Sequence, residues 1–398
     1  MNILFVHQNM PGQFKHLAPT LAAAGHRVVF LTRRKDIAIP GVETVSYAVP
    51  REATAATHQY VRAFENSVIS GQEVIRQLQA LRGRGFVPDV MIAHSGWGEA
   101  LFLKDAYPRV PLIVFSEFYY RREELYFDTD RDVSLDQVCR ARARNANLLL
   151  SLEACDAAIT PTHWQKSVQP TAFHDKIKVI FDGIDTRIVA PDAAATFALP
   201  NGRVLGQTNE VVTYVARNLE PYRGFPSFVR ALPKLLAARP NAQVVIVGGD
   251  GVSYGAKPAD GRTWRETMTA EVALDPARVH FIPRLSYDRY LALLRISSAH
   301  VYLTHPFVLS WSFMEAMAAG CLVVGSATAP VEEVLRHGVN GLLTDFHSPN
   351  EIAATIIDAL AANTSLAPLR RCARQTVQDR YELQNCIQRQ NNLIRNVS

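Results

Sequence analysis

Apolar residues along this chain of 398 residues gather in short unbroken runs separated by longer stretches where they recur at helical spacing. That alternation predicts buried strands interleaved with amphipathic helices. The first turn of the pattern reads as strand NILFVHQ, loop NMPGQFK, a helix through HLAPTLAAAG closing at Gly25, and strand HRVVFLTRR. A helical segment over residues 58–82 follows, then strand PDVMIAHSGWG ending at His94, strand PLIVFSEFYYR, and one long helix to about Ala154. Strand DAAITPT, with Thr160 or Thr162 capping a helix through Trp164, and IKVIFDGID with its turn at Gly183 complete a first series. Residues 187–209 are rich in Ala, Pro and Gly without periodicity and read as a connection between domains. A second series runs through VVTYVAR, FPSFVRALPKLLAARP, AQVVIVGGDG, RVHFIPR, YDRYLALLRISS, HVYLTHP, a helix opening near Ser312, CLVVGS, and a helix from Pro330 to His337. The polar C-terminal stretch reads as one or two helices. Two such series predict an α/β chain of two doubly wound, Rossmann-like domains facing each other across a cleft, residues 1–190 and 205–375, with 376–398 packing back on the first.

The segment VYLTHPFVLSWSFMEAMAAGCLVVG, Val301 to Gly325, concentrates the chemistry. A buried strand leads into a polar loop and then a helix that Ser310 or Ser312 can cap. A helix start at the carboxyl end of a parallel strand presents bare N–H groups to an anion. Glu315, in the first helical turns, can serve the helix terminus or accept from paired ligand hydroxyls. In VARNLEPYRG, Arg217 and Arg223 are free to converge on a diphosphate, although taken in isolation a pair of surface arginines is the commoner case. His94 at a strand end and Gly12 in the first strand-to-helix loop occupy places where open α/β sheets take ligands. Both also have ordinary structural readings. No GxGxxG fingerprint is present: in GGDG, from Gly248 to Gly251, Tyr254 stands at the last glycine position. This argues against a nicotinamide or flavin enzyme.

Charge narrows the field. Residues 1–186 hold 21 Lys and Arg against 20 Asp and Glu, and the remainder 21 against 17, so no basic arm suggests nucleic acid. Arg140, Arg142 and Arg144 alternate along a helix and read as solvated surface, with at most peripheral membrane contact. Asp128 and Asp130 in FDTDRD imitate a metal-binding pair without further ligands, so no metal is expected. The five cysteines show no CxxC spacing and read as small apolar fillers. Apolar runs are broken by charges before the ~18 residues of a membrane span, and the N-terminus reads as a strand rather than a leader, which predicts a cytoplasmic protein.

Together these segments resemble the retaining glycosyltransferases of family 4, with the GT-B architecture, over essentially the whole chain and most specifically over residues 211–345. The family pairs Arg with a basic residue six positions on, then Gly, matched by Arg217, Arg223 and Gly224. EAMAAGCLVV matches its EAMAxGxPVV, and APVEEVLRHGVNGLL the segment that follows. The resemblance implies an acceptor-binding first domain and a second domain binding a UDP- or GDP-linked sugar without a cofactor, the acceptor being a hydroxyl of a glycan, lipid-linked glycan or small molecule. It implies catalytic roles for His94, Arg217 and Arg223, and donor binding by Gly12, Arg217, Arg223, Arg284, Ser310, Trp311, Ser312 and Glu315. FDGID replaces the usual NGVD, with Asp182 for Asn. Phe307 stands where the family has a second glutamate, and VLSWS replaces GFGLP, so the sugar contacts differ from the usual ones. No carboxylate of the first half stands at a strand end in the family's motif position, which leaves no evident base for an inverting attack. A silent sugar-nucleotide binder, or an epimerase or phosphorylase on the same fold, is the alternative.

Overall fold

The structure, a computed structural model, describes residues 1–125 and 133–398; Asp128 and Asp130 lie outside the described residues. The chain forms two compact units, Met1–Gly183 with Gln384–Ser398, and Ile184–Leu383.

The first unit holds strands β1 (Asn2–Val6), β2 (Arg27–Thr32), β3 (Val42–Ser46), β4 (Val90–His94), β5 (Leu112–Phe115), β6 (Ala157–Thr160) and β7 (Ile177–Val179). They form one parallel sheet in the order β3-β2-β1-β4-β5-β6-β7. Every residue of β4 and β5 is buried, as a sheet covered by helices on both faces requires. One face packs Leu4, Val6, Met91 and Val114 against Val74 and Leu78 of the helix Arg62–Gly83. The other packs Ile3, Phe5 and Ile113 against Phe14 and Leu17, and also against Leu393 and Ile394 of the last helix, Leu383–Val397.

The second unit opens with a hairpin of β8 (Thr196–Ala198) and β9 (Val204–Gly206) and continues with β10 (Val211–Asn218), β11 (Gln243–Gly249), β12 (Val279–Ile282), β13 (Ala299–Tyr302), β14 (Val323–Ser326) and β15 (Leu342–Thr344). The last six form a parallel sheet ordered β12-β11-β10-β13-β14-β15. In both sheets the order reverses beside the first strand, between β1 and β4 and between β10 and β13. Loops leaving the carboxyl ends of such a pair diverge, which opens a crevice for ligands.

Several expectations about organisation are corrected. Residues 187–209 are not a plain connection: they carry the β8–β9 hairpin, whose Phe197 and Leu205 are buried in the core of the second unit beside Val245 and Leu293. Strands of three residues are too short for periodicity to reveal. The chain passes between units at Gly183/Ile184 and returns at Leu383/Gln384, so the helix Ala367–Arg380 belongs to the second unit. Finally, the long helix before Ala154 is two, Leu135–Arg144 and Ala146–Ala154. At the break, Asn145 accepts from the Tyr120 N–H at 3.0 Å and donates to the Tyr120 carbonyl at 2.7 Å, so its amide mimics a neighbouring backbone. The expected helix Pro330–His337 is a single turn, Ala329–Glu332. Of the five cysteines, Cys155, Cys321 and Cys386 are buried fillers, whereas Cys139 is half-buried and Cys372 exposed.

Candidate functional site

In the second unit the switch point is built on the loop between β13 and the helix Trp311–Ala318. Ser310 caps that helix, its hydroxyl accepting from the Ser312 N–H at 3.2 Å and meeting the Ser312 hydroxyl at 2.8 Å. The loop is held from beneath by Arg223. Its guanidinium donates to the Tyr302 hydroxyl (3.1 Å), the Thr304 hydroxyl (2.8 Å) and the Val308 carbonyl (3.1 Å). The Tyr302 hydroxyl in turn accepts from the Ser310 N–H at 2.9 Å, so Arg223 reaches the helix start through one side chain. Gly224, at φ +67°, turns the chain into the next helix, and a Cβ there would lie 2.5 Å from Leu303 Cβ.

Arg217 and Arg223 therefore do not present themselves alike. Arg217 is exposed at the end of β10, whereas Arg223 is buried under Tyr254 and Phe307, whose ring centroids lie 5.3 and 5.9 Å from its guanidinium carbon. The two arginines do not converge openly on one point: Arg223 braces the loop between β13 and the helix Trp311–Ala318, with most of its donors spent on protein. Tyr254 is brought over it by Glu220, a buried carboxylate that accepts from the N–H groups of Ser253, Tyr254 and Gly255 at 3.1 to 3.2 Å. Phe307 closes the aromatic group against Tyr254 (4.7 Å) and Tyr222 (5.6 Å). Phe307 thus belongs to an aromatic cover over a buried cation.

Glu315 lies one turn into the helix, half-buried, with each carboxylate oxygen accepting from a phenol: Tyr287 at 2.8 Å and Tyr290 at 2.9 Å. Burial and the adjacent carboxylate raise both phenols above their usual range, so they remain donors. Each oxygen retains a second lone pair for a ligand hydroxyl. The two tyrosines, three apart on the helix Tyr287–Arg295, were not singled out by the sequence, although their i, i+3 spacing puts them on one face. Arg284 is exposed in the turn after β12 and bonds to none of these groups.

The first unit gathers a second set of groups at its own switch point. His94, ending β4, is buried; its Nδ1 accepts from the Gly96 N–H at 2.9 Å, which puts the proton of the neutral ring on Nε2. That Nε2–H has no hydrogen-bond partner among the described residues. The ring stacks on Trp97 at 4.5 Å and lies 5.0 Å from His7. His7, just beyond β1, accepts from the Asn9 N–H at Nδ1 and donates from Nε2 to Gln13 at 2.8 Å. Gln13 donates to Glu117 at 2.7 Å, and the other oxygen of Glu117 lies 3.8 Å from His94 Nε2. Gly12 serves this packing as much as any ligand, since at φ +50° a Cβ would sit 2.3 Å from His7 Nε2. Glu117, two residues beyond β5, is a carboxylate near a strand end in this unit, where none had been expected from the motif. His7, Gln13 and Glu117 escaped the sequence reading because their strands gave no hint that β1, β4 and β5 are neighbours.

Burial holds both histidines neutral: His7 falls to about 4, and His94 drops well below its usual value, with His7 adding to the effect. An unfolded histidine, near 6.5, binds a proton that the folded one refuses, so this contribution to stability is lost as pH falls from about 6.5 toward 4. For His7 the shift amounts to on the order of 3 kcal/mol. Buried Glu99, whose carboxyl is raised, works in the opposite direction. The first unit is expected to unfold at lower urea at pH 5 than at pH 7, with His7→Gln reducing the difference; equal midpoints would contradict neutral buried rings.

Comparison with known proteins agrees with this architecture. Residues 24–189 match the family described as Glycosyl transferase family 4 group, and residues 200–376 the family Glycosyl transferases group 1. A D-inositol 3-phosphate glycosyltransferase of Acidothermus cellulolyticus is 28% identical over 51% of this chain and 45% of its own length. The chain spans about half the length of the curated relatives it matches first. Among solved structures, sucrose-phosphate synthase from Thermosynechococcus elongatus superposes with a TM-score of 0.76 at 19% identity, covering 100% of this chain and 98% of that one. Anabaena HepE in complex with UDP-glucose superposes at 0.69 and 18% identity, covering 100% of both chains. At such identities the likeness is one of fold. With matched segments in both units and the same two-domain fold, the chain belongs to the family 4, group 1 glycosyltransferases of GT-B architecture.

Proposed function

We propose that the protein transfers a sugar from a nucleotide-sugar donor to an acceptor hydroxyl, with retention of anomeric configuration and without a metal. The observation that carries this reading is the Glu315 carboxylate, fixed by Tyr287 and Tyr290 one turn beyond a helix start that Arg223 holds in place. A carboxylate with two oriented oxygens suits the paired hydroxyls of a ribose, and the helix start with exposed Arg217 suits the diphosphate. A donor bound in this way loses its leaving diphosphate to fixed positive charge, each well-placed donor group contributing roughly 2.7 to 4 kcal/mol in the transition state. In a retaining course the departing diphosphate accepts the acceptor's proton on the face it leaves. The UDP-glucose complex of Anabaena HepE makes UDP-linked sugars the first donors to test, with GDP-linked sugars second.

His94 is assigned the placing of the donor sugar, because its Nε2–H is a neutral donor with no hydrogen-bond partner among the described residues. His94→Ala is expected to lower kcat and kcat/KM together by about tenfold while UDP affinity holds; undiminished kcat would remove this role. One observation favours a competing stereochemical course: Glu117, beside His94, is a carboxylate that could serve as base in an inverting attack. The decisive experiment incubates the purified chain with a panel of nucleotide sugars, with and without EDTA, and follows hydrolysis and transfer. Proton coupling in NMR then reads the anomeric configuration of the product. An inverted product sinks retention, loss of turnover in EDTA sinks metal independence, and nucleotide binding without turnover on any donor points to a silent binder, consistent with Phe307.

A further inference from the structure

Beside the His94 group, wholly within the first unit, lies a cavity of about 480 Å³ lined by Arg33, Arg51, Arg62, Arg140 and Arg144, with Gly96 and Trp97 forming one wall. That volume is within the ~300–1,000 Å³ of small-molecule sites. Glu52 is the one acidic residue in its described lining. Two of the arginines are neutralised at its edge: Arg51 pairs with Glu65 and Arg140 with Asp136, each at 2.6 Å. Among the described residues the other three form no ion pair, although the buried carboxyl of Glu99 lies within electrostatic reach of Arg33. Arg62 donates to the carbonyls of Thr57 (2.8 Å) and Ala55 (2.7 Å), Arg33 to the amide oxygen of Gln8 (3.3 Å), and Arg144 lies over the Tyr120 ring at 4.3 Å. Neutral acceptors and an aromatic face fix these guanidinium groups without pairing their charge, which leaves an excess of positive charge around one solvent-open pocket. Alternate spacing had suggested that Arg140, Arg142 and Arg144 merely face solvent. Four residues apart, Arg140 and Arg144 share a face of their helix, and that face lines the cavity.

We propose that this cavity holds the acceptor and that the acceptor carries an oxyanion, a phosphate ester or a carboxylate, seated against Arg33, Arg62 and Arg144. The wall formed by Gly96 and Trp97 joins the cavity to His94, on which Trp97 stacks, so an acceptor anchored by its anion can bring a hydroxyl toward that ring. The inference rests on the transferase reading for the word acceptor, but not for the binding of an anion.

The test uses the full chain, with UDP saturating so that a phosphate site in the second unit is filled, and repeats each titration without UDP. Calorimetric titration compares glucose, glucose 6-phosphate, glucuronate and inorganic phosphate. At least one anion is expected to bind tenfold or more tightly than glucose, and to weaken as KCl is raised. The ester and the carboxylate distinguish the two sources of charge. Because Arg33 and Arg144 are exposed, Arg33→Gln with Arg144→Gln is expected to weaken anion binding at least tenfold, with the circular dichroism spectrum preserved. Co-sedimentation with phosphatidylglycerol vesicles that is lost in this variant would assign the same oxyanion to a lipid acceptor. The proposal is overturned if none of the anions binds, if glucose binds equally well, if the double variant leaves anion affinity unchanged, or if a neutral sugar is the best acceptor in transfer. Donor hydrolysis without acceptor reports separately on the transferase reading, so the two can fail independently.

Discussion

Arg223→Ala is expected to destabilise the second unit and to reduce kcat/KM by about 100- to 1,000-fold, because the helix start it braces loses the preorganisation that an oxyanion site requires. The two effects have one origin. Arg223 is buried, and its N–H groups supply the Tyr302 hydroxyl, the Thr304 hydroxyl and the Val308 carbonyl. Tyr302 keeps its bond from Ser310, and Thr304 still donates to the His305 carbonyl, so only the Val308 carbonyl is stranded outright. Removing the cation also relieves its own desolvation. The net loss is then about 2 to 3 kcal/mol rather than the sum of three charged hydrogen bonds. The loop above it, however, loses the cation that holds residues 304–310 in register with the helix start. Arg223→Lys keeps the charge and some of the bonds and is expected to fall between. Thermal unfolding and UDP titration should therefore decline together along the series Arg, Lys, Ala. If Arg223→Ala lost UDP affinity at unchanged melting temperature, the residue would be a direct phosphate ligand and not a brace.

Glu315→Ala should weaken binding of free UDP itself by roughly 10- to 150-fold, corresponding to the loss of a charged acceptor worth about 1.5 to 3 kcal/mol. Unlike Arg223, Glu315 is bonded only through its two oxygens to Tyr287 and Tyr290, both within reach of water or half-buried, so stability should change little. Tyr287→Phe and Tyr290→Phe test the orientation argument. Each frees one carboxylate oxygen without removing it, and each should cost only a few-fold in affinity. Glu315→Gln discriminates further, because an amide can accept from one phenol and must present N–H groups to the other. Unchanged affinity for UDP in Glu315→Ala would mean the carboxylate merely ties two helices together.

The residues that chemistry singled out in the sequence fall, with one exception, at the carboxyl ends of strands beside a switch point. Arg217 lies in the last residues of β10, His94 ends β4, and Ser310, Trp311, Ser312 and Glu315 follow β13. Arg284 is the exception, exposed after the edge strand β12 and bonded to none of the others. This much was legible because an unbroken apolar run marks a doubly covered strand, and polar residues immediately after it can only stand at its end. Strand order was not legible, since it depends on which runs pair. His7, Gln13 and Glu117 become one group with His94 only because β1, β4 and β5 are adjacent, although their sequence positions are far apart.

Local sequence determined where strands and helices begin: Thr162 and Ser310 cap their helices by their own hydroxyls, and Gly224 turns the chain where a side chain would collide with Leu303. Those choices need only a few neighbouring residues. Whether a charge is offered or spent was decided by tertiary structure. Arg217 and Arg223, six positions apart and alike in type, end as an exposed cation and a buried brace, because Tyr254, Phe307 and the β13 loop close over only one of them. In the same way Arg140 and Arg144 face a cavity only once Arg33 and the segment Arg51–Arg62 are folded beside them. A side chain's charge is written in its covalent structure, but its exposure and its partners are set by segments distant in the chain.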